Sequence, residues 1–146
     1  MGGLVFGWAK PVPINPNNFF RPKRAMFFVA LAGPLSNLFM TLLWSLIWLL
    51  FSLMISDSSG SSLLDKFVYL MCQTGIFINL VLMIFNLLPI PPLDGGRVLR
   101  SLVNEKYGRL IDTVEPFGII IVIGLLFIGL FQPIYRTVQY ITSILM

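Results

Sequence analysis

The residues best placed to do chemistry lie in one eleven-residue stretch, "NLLPIPPLDGG", from Asn86 to Gly96. An apolar run ends in three prolines, and a single carboxylate, Asp94, then stands against Gly95 and Gly96. A carboxylate near the hydrocarbon edge of a bilayer costs a few kcal/mol unless it is paired or wetted, so a cation is its natural partner. An Asp oxygen can complete a zinc site built mostly from histidines, and flanking glycines let backbone and metal approach closely. Asp ahead of a helix also commonly caps the first free N–H groups, with Gly-Gly easing the turn. One carboxylate does not make a metal site, and spacing alone leaves both readings open.

The rest of the composition narrows the chemistry. The chain of 146 residues contains no histidine, so it completes neither His-based acid–base catalysis nor a His-ligated metal site by itself. Cys72 is the only cysteine, which excludes an intrachain disulfide. With 57% hydrophobic and 11% charged residues, the composition is that of a membrane protein.

Three windows hold no Asp, Glu, Lys or Arg: 25–55, 67–93 and 116–135. Each meets the roughly 20 residues a helix needs to cross the hydrocarbon core, which predicts about three transmembrane helices in an all-α, multi-pass protein of the cell (inner) membrane. Gln132 and Pro133 shorten the third. Arg21, Lys23 and Arg24 precede the first span, and Arg97, Arg100, Lys106 and Arg109 follow the second, so both clusters are expected on the cytoplasmic side. The net charge of +4 is therefore assigned to the anionic leaflet of the lipid bilayer, with no nucleic-acid partner expected. The opening "MGGLVFGWAKPVP" has too short an apolar core for a cleavable leader, and none is expected.

These elements must position the Asp94 stretch. Prolines at 11, 13, 16 and 22 rule out a regular helix over 1–24, which reads as a strand-like surface loop with Val12 and Ile14 on one side. In the first span Gly33, Asn37, Thr41 and Ser45 recur every four residues and share a face suited to close helix packing. Pro34 is expected to loosen the helix there. Pro89, Pro91 and Pro92 make a continuous helix through Leu93 improbable, which puts Asp94 on irregular backbone at the interface. Residues 96–114 then follow a helical period with cations between the apolar positions, as an amphipathic interfacial helix would.

The stretch "NLLPIPPLDGG" resembles the Asn-x-x-Pro-x-x-x-Leu-Asp-Gly motif of the site-2 protease family, the intramembrane zinc metalloproteases. "GWAKPVPINP" is similar to that family's loop before its second core helix, "AGPLSN" to its Gly-Pro-x-x-Asn helix, and "VEPFGIII" to the entry of its later helix. The four matches occur in family order across nearly the whole chain. The resemblance implies proteolysis of transmembrane segments of other membrane proteins, with Zn2+ held by two His of an HExxH helix and by the motif Asp, here Asp94. Asn86 and, with less support, Asn37 would hold the substrate backbone or the developing oxyanion. Pro89, Gly95 and Gly96, with Gly33 and Pro34, would shape the site, and Val12 and Ile14 would pair with unwound substrate.

The HExxH helix is not in these residues, and with it both His ligands and the catalytic Glu are missing, so no catalytic residue proper is assigned to the chain. The favoured expectation is part of an active protease, whose missing segment comes from elsewhere in the gene or from a partner chain. A pseudoprotease that binds membrane segments without cutting them is the first alternative. A small ion-transporter subunit is the second, since broken helices with an acid near the membrane also create ion sites.

Overall fold

The computed structural model describes residues 22–55, 62–129 and 131–146, and all its regular structure there is helical. The loop expected over 1–24, with Val12 and Ile14, lies outside the described residues apart from its last three positions. Six α-helices follow in order among the described residues: α1 (Pro22–Met54), α2 (Leu63–Asn86), α3 (Asp94–Leu102), α4 (Glu105–Val114), α5 (Gly118–Phe127) and α6 (Phe131–Leu145). Among the described residues three stretches are long and apolar enough to cross a membrane: Lys23–Met54, Leu63–Asn86 and Glu105–Phe127.

α1 and α2 form the central antiparallel pair, and α3 folds back onto α1. The start of α2 is set by a capping box: Asp65 N–H donates to Ser62 Oγ at 3.1 Å, and Ser62 N–H donates to Asp65 Oδ2 at 2.7 Å. Between the two helices the contact is made by small groups. Thr41 is buried, and Gly75 lies against Trp44 so closely that an added Cβ would sit 2.6 Å from the indole ring. Buried residues are few (Ala30, Thr41, Cys72, Ile76, Leu80, Val138 and Thr142 among them), while Leu, Ile and Phe side chains cover the outside. Lipid tails are as apolar as leucine, so small residues and hydrogen bonds, rather than water exclusion, bring such helices together.

α6 runs antiparallel to α2. Phe131 meets Phe85 with ring centroids 6.0 Å apart, Tyr135 meets Phe77 at 5.7 Å, and Ser45 Oγ donates to Leu145 O at 2.9 Å. The stripe of Gly33, Asn37, Thr41 and Ser45 is thus the inward face of α1, where it packs against other elements.

Several boundaries differ from those read off the sequence. α1 continues through Pro34, which is buried. α2 stops at Asn86, short of the apolar window's end at 93 as the prolines predict, and Leu87–Leu93 is held in turns by Leu88 N–H to Phe85 O (3.1 Å) and Leu93 N–H to Ile90 O (2.9 Å). The amphipathic helix expected over 96–114 is two helices, since Val103 is extended and the Asn104 side chain caps α4 by accepting from Tyr107 N–H. Pro116 cannot donate back, so α4 tightens into a 3-10 turn over Glu115–Phe117 before α5. The third apolar window therefore spans two elements: α5 ends at Phe127, and Gln132 and Pro133 belong to α6.

Candidate functional site

Asp94 is the first residue of α3, not its cap: the N-cap is Leu93, and no side-chain capping bond is made. The carboxylate is half-buried and forms no ion pair among the described residues. It faces α1, where a Cβ added to Gly33 would lie 2.7 Å from Asp94 Oδ2. Gly33 is nine residues beyond Arg24, about 13 Å along a helix axis rising 1.5 Å per residue. The acid thus reaches well past the basic end of α1 into its apolar length.

The glycines after Asp94 are there for main-chain contact. A Cβ on Gly95 would collide with the carbonyl oxygens of Leu87 and Leu88, and one on Gly96 would lie 2.7 Å from the carbonyl carbon of Ile90. Both α-carbons are buried against the proline turn. From the other side Gly118, at the start of α5, packs on the Pro91 carbonyl and 2.7 Å, measured from its would-be Cβ, from Pro92 Cδ. The turn is thereby gripped from two sides by backbone, which folds the end of α2 back onto the start of α3.

Sequence reasoning singled out Asn86, Asn37, Gly33 and Asp94, and these gather around that junction. Asn86 ends α2 immediately before the carbonyls that Gly95 contacts, and Asn37 lies one turn from Gly33 on the inward face of α1. Pro89 is exposed on the turn, and Pro34 is buried in α1. Two features escaped the sequence reading. Gly118 carried a signal, a glycine opening an apolar run directly after Glu-Pro-Phe. The second is an ionic knot that ties α3 to α4 and to the base of α1: Arg100 Nε donates to Asp112 Oδ1 (2.8 Å) and Arg100 NH2 to Glu105 Oε2 (3.2 Å), while Lys23 Nζ lies 2.9 Å from Glu105 Oε1. The Arg100 guanidinium lies over Gly108, where a side chain would displace it. The Asp112 hydrogen bond, the largest influence on it, raises the Arg100 pKa above the ordinary guanidinium value. These pairs are five and twelve residues apart, spacings with no helical signature.

As a metal site the junction is incomplete. No group of three or more Cys, Asp or Glu that could hold a metal exists among the described residues, and the chain has no His. Asp94 fits zinc as one oxygen ligand with no ion pair among the described residues and no cap bond, and a full tetrahedral set needs donors from other polypeptide. A cavity of about 450 Å³ between α2 and α6 is lined by Tyr69, Gln73, Gln139 and Thr142 among others and includes none of the junction residues. Phe77, its lining residue on α2 nearest to Asn86, is about two and a half turns away.

Residues 52–130 match the model of Peptidase family M50. That segment contains Asn86, Asp94, Gly95, Gly96 and Gly118, while Gly33 and Asn37 precede it. The chain is similar to YwhC of Bacillus subtilis, named as a zinc metalloprotease, at 36% identity over 80% of this chain and 52% of that protein. It is also similar to two Methanocaldococcus jannaschii proteins named as zinc metalloproteases. MJ0392 is 32% identical over 63% of this chain and 24% of its own length, and MJ0611 is 43% identical over 49% and 32%. The chain thus spans about half of the first relative and a quarter to a third of the others. No solved structure shows significant similarity to it.

Proposed function

The chain belongs to peptidase family M50, the site-2 protease family whose motifs it carries, and from that premise we propose that Asp94 is one ligand of the catalytic zinc in a membrane-embedded endopeptidase. The remaining ligands and the catalytic Glu come from polypeptide other than these 146 residues, and the substrates are transmembrane segments of other membrane proteins. One observation carries this reading: a half-buried carboxylate opens α3 against Gly33 of the apolar helix α1 with no ion pair among the described residues.

When bound, zinc supplies Lewis-acid chemistry, polarising a peptide carbonyl and making water nucleophilic at neutral pH. This chain's residues do the positioning. Gly33 leaves room for the Asp94 carboxylate, and Gly95 and Gly96 seat α3 on the proline turn. The Asn86 amide donates to substrate backbone or to a carbonyl oxygen gaining negative charge, and Asn37 assists from the facing helix. A helical substrate satisfies its own amides, so cleavage requires local unwinding, and Val12 and Ile14 are the residues proposed to pair with the opened strand. Exchanging both for proline then lowers turnover; unchanged turnover removes them from the site.

The test is the zinc content of the protein isolated from its own host, wild type beside Asp94→Asn, with cleavage of a transmembrane model substrate as second readout. Near-stoichiometric zinc and cleavage are expected in the wild type, and both are lost in Asp94→Asn while the helical circular dichroism holds. Full zinc occupancy in Asp94→Asn refutes the ligand role. Zinc absent from both, with membrane segments bound and uncut, supports a non-cleaving binding protein instead.

A further inference from the structure

A second cleft, of about 320 Å³, opens between the base of α1 and the C-terminal end of α3, and it is lined by Lys23, Arg24, Phe27, Phe28, Ser101 and Leu102. Its composition divides by chemistry. Lys23 and Arg24 bring two cations to one end. Phe27 and Phe28, edge to face with centroids 5.5 Å apart, form with Leu102 an apolar wall, of which Phe28 and Leu102 are each about two-thirds exposed.

Among the described residues the cations retain free donors. Lys23 Nζ engages Glu105 Oε1 at 2.9 Å and the Val103 carbonyl at 3.5 Å, which uses two of its three protons. Arg24, with five N–H donors, forms no ion pair among the described residues. Ser101 Oγ already donates to Val98 O at 2.7 Å, so it remains an acceptor, suited to a headgroup hydroxyl and not to a phosphate oxygen.

The cleft opens where the first apolar stretch begins, at Lys23. A ligand there must carry negative charge at the level of the cations and apolar chain immediately beside it. A soluble anion offers only the first, and an uncharged lipid only the second. We propose that this cleft is a site for one anionic phospholipid of the leaflet on the basic side of the protein, with phosphate on Arg24 and Lys23 and acyl chain along Phe27, Phe28 and Leu102. Because its two walls belong to α1 and α3, the lipid bridges the same two helices that meet at Gly33 and Asp94.

The experiment places a tryptophan in the apolar wall, Phe28→Trp, in the full chain reconstituted into phosphatidylcholine vesicles. Quenching by brominated phosphatidylglycerol is compared with quenching by brominated phosphatidylcholine, after subtracting the signal of the parent protein. Phosphatidylglycerol is expected to bind about fivefold better for each cation engaged. Adding Arg24→Gln should remove about one such factor, and Arg109→Gln on α4 should leave the preference in place. Should Phe28→Trp fail to fold, Leu102→Trp at the end of α3 carries the same reporter. Equal quenching by the two lipids overturns the site, as does an equal loss in Arg24→Gln and Arg109→Gln, which would assign the preference to diffuse surface potential. Inorganic phosphate, against chloride at matched ionic strength, should not displace the lipid; displacement would transfer the cleft to a soluble anion and overturn the lipid assignment.

Discussion

Gly33→Ala separates the stability of this fold from its metal chemistry. The added methyl falls 2.7 Å from Asp94 Oδ2, about 0.8 Å short of an ordinary contact near 3.5 Å. The obstructing atom is the tip of a short, rotatable side chain and not backbone, so the fold yields cheaply by swinging the carboxylate aside. Alanine also adds about 0.5–1 kcal/mol of helix preference over glycine inside a helix. The melting temperature should therefore hold or rise slightly. The metal cannot yield in the same way, since productive ligand distances lie within about 0.2 Å of their ideal and a displacement of several tenths exceeds that. Misplacing the supports of a ligand costs about 10–100-fold in metal affinity, and that is the loss expected here. The assay is a chelator titration of zinc on the protein from its own host, paired with a thermal melt by circular dichroism. Unchanged zinc affinity in a folded Gly33→Ala protein refutes the placement of Asp94 as a ligand against α1. A collapse of the melt would show instead that the α1–α3 contact is rigid.

Gly95→Ala meets the Leu87 and Leu88 carbonyls, which cannot rotate away, so it should destabilise the protein by about 1–3 kcal/mol, read as a lowered melting temperature. Thr142→Val replaces a buried hydroxyl that has no partner among the described residues, and should stabilise by about 1 kcal/mol unless that hydroxyl holds a ligand or water in the α2–α6 cavity. A thermal melt of Thr142→Val beside wild type decides between these, a higher melting temperature marking an unpartnered hydroxyl and a lower one a hydroxyl that holds a ligand or water. Arg100→Gln removes two partly exposed ion pairs and should cost about 1 kcal/mol in low salt, with the difference from wild type shrinking as salt is raised.

How much of this was legible in the sequence depends on range. The apolar windows gave the helices because hydropathy is a local property, and the prolines at 89, 91 and 92 located the end of α2 to within a few residues for the same reason. The small-residue face of α1 was legible through its four-residue period, and the structure turns it inward. The division of 96–114 at Asn104 was missed although Asn before Glu-Lys-Tyr is an ordinary N-cap pattern, because the apolar period runs across the break without interruption. Capping by Asp94 was a fair expectation from residue type, and the structure places the acid one position too late to perform it. What no local pattern contains is the pairing of distant groups: Gly33 with Asp94, Gly118 with Pro91, and Lys23 with Glu105. Each depends on how helices already formed come to lie together.

The grip on the proline turn determines which parts of this junction can be altered independently. Gly95 and Gly96 on one side and Gly118 on the other touch the turn mostly through peptide groups, so the placement of the acid owes little to what neighbouring residues project outward. Pro89, exposed on the same turn, lies outside those glycine contacts. The same arrangement makes the three glycines intolerant of even one methyl group, concentrating vulnerability in the smallest residues of the chain.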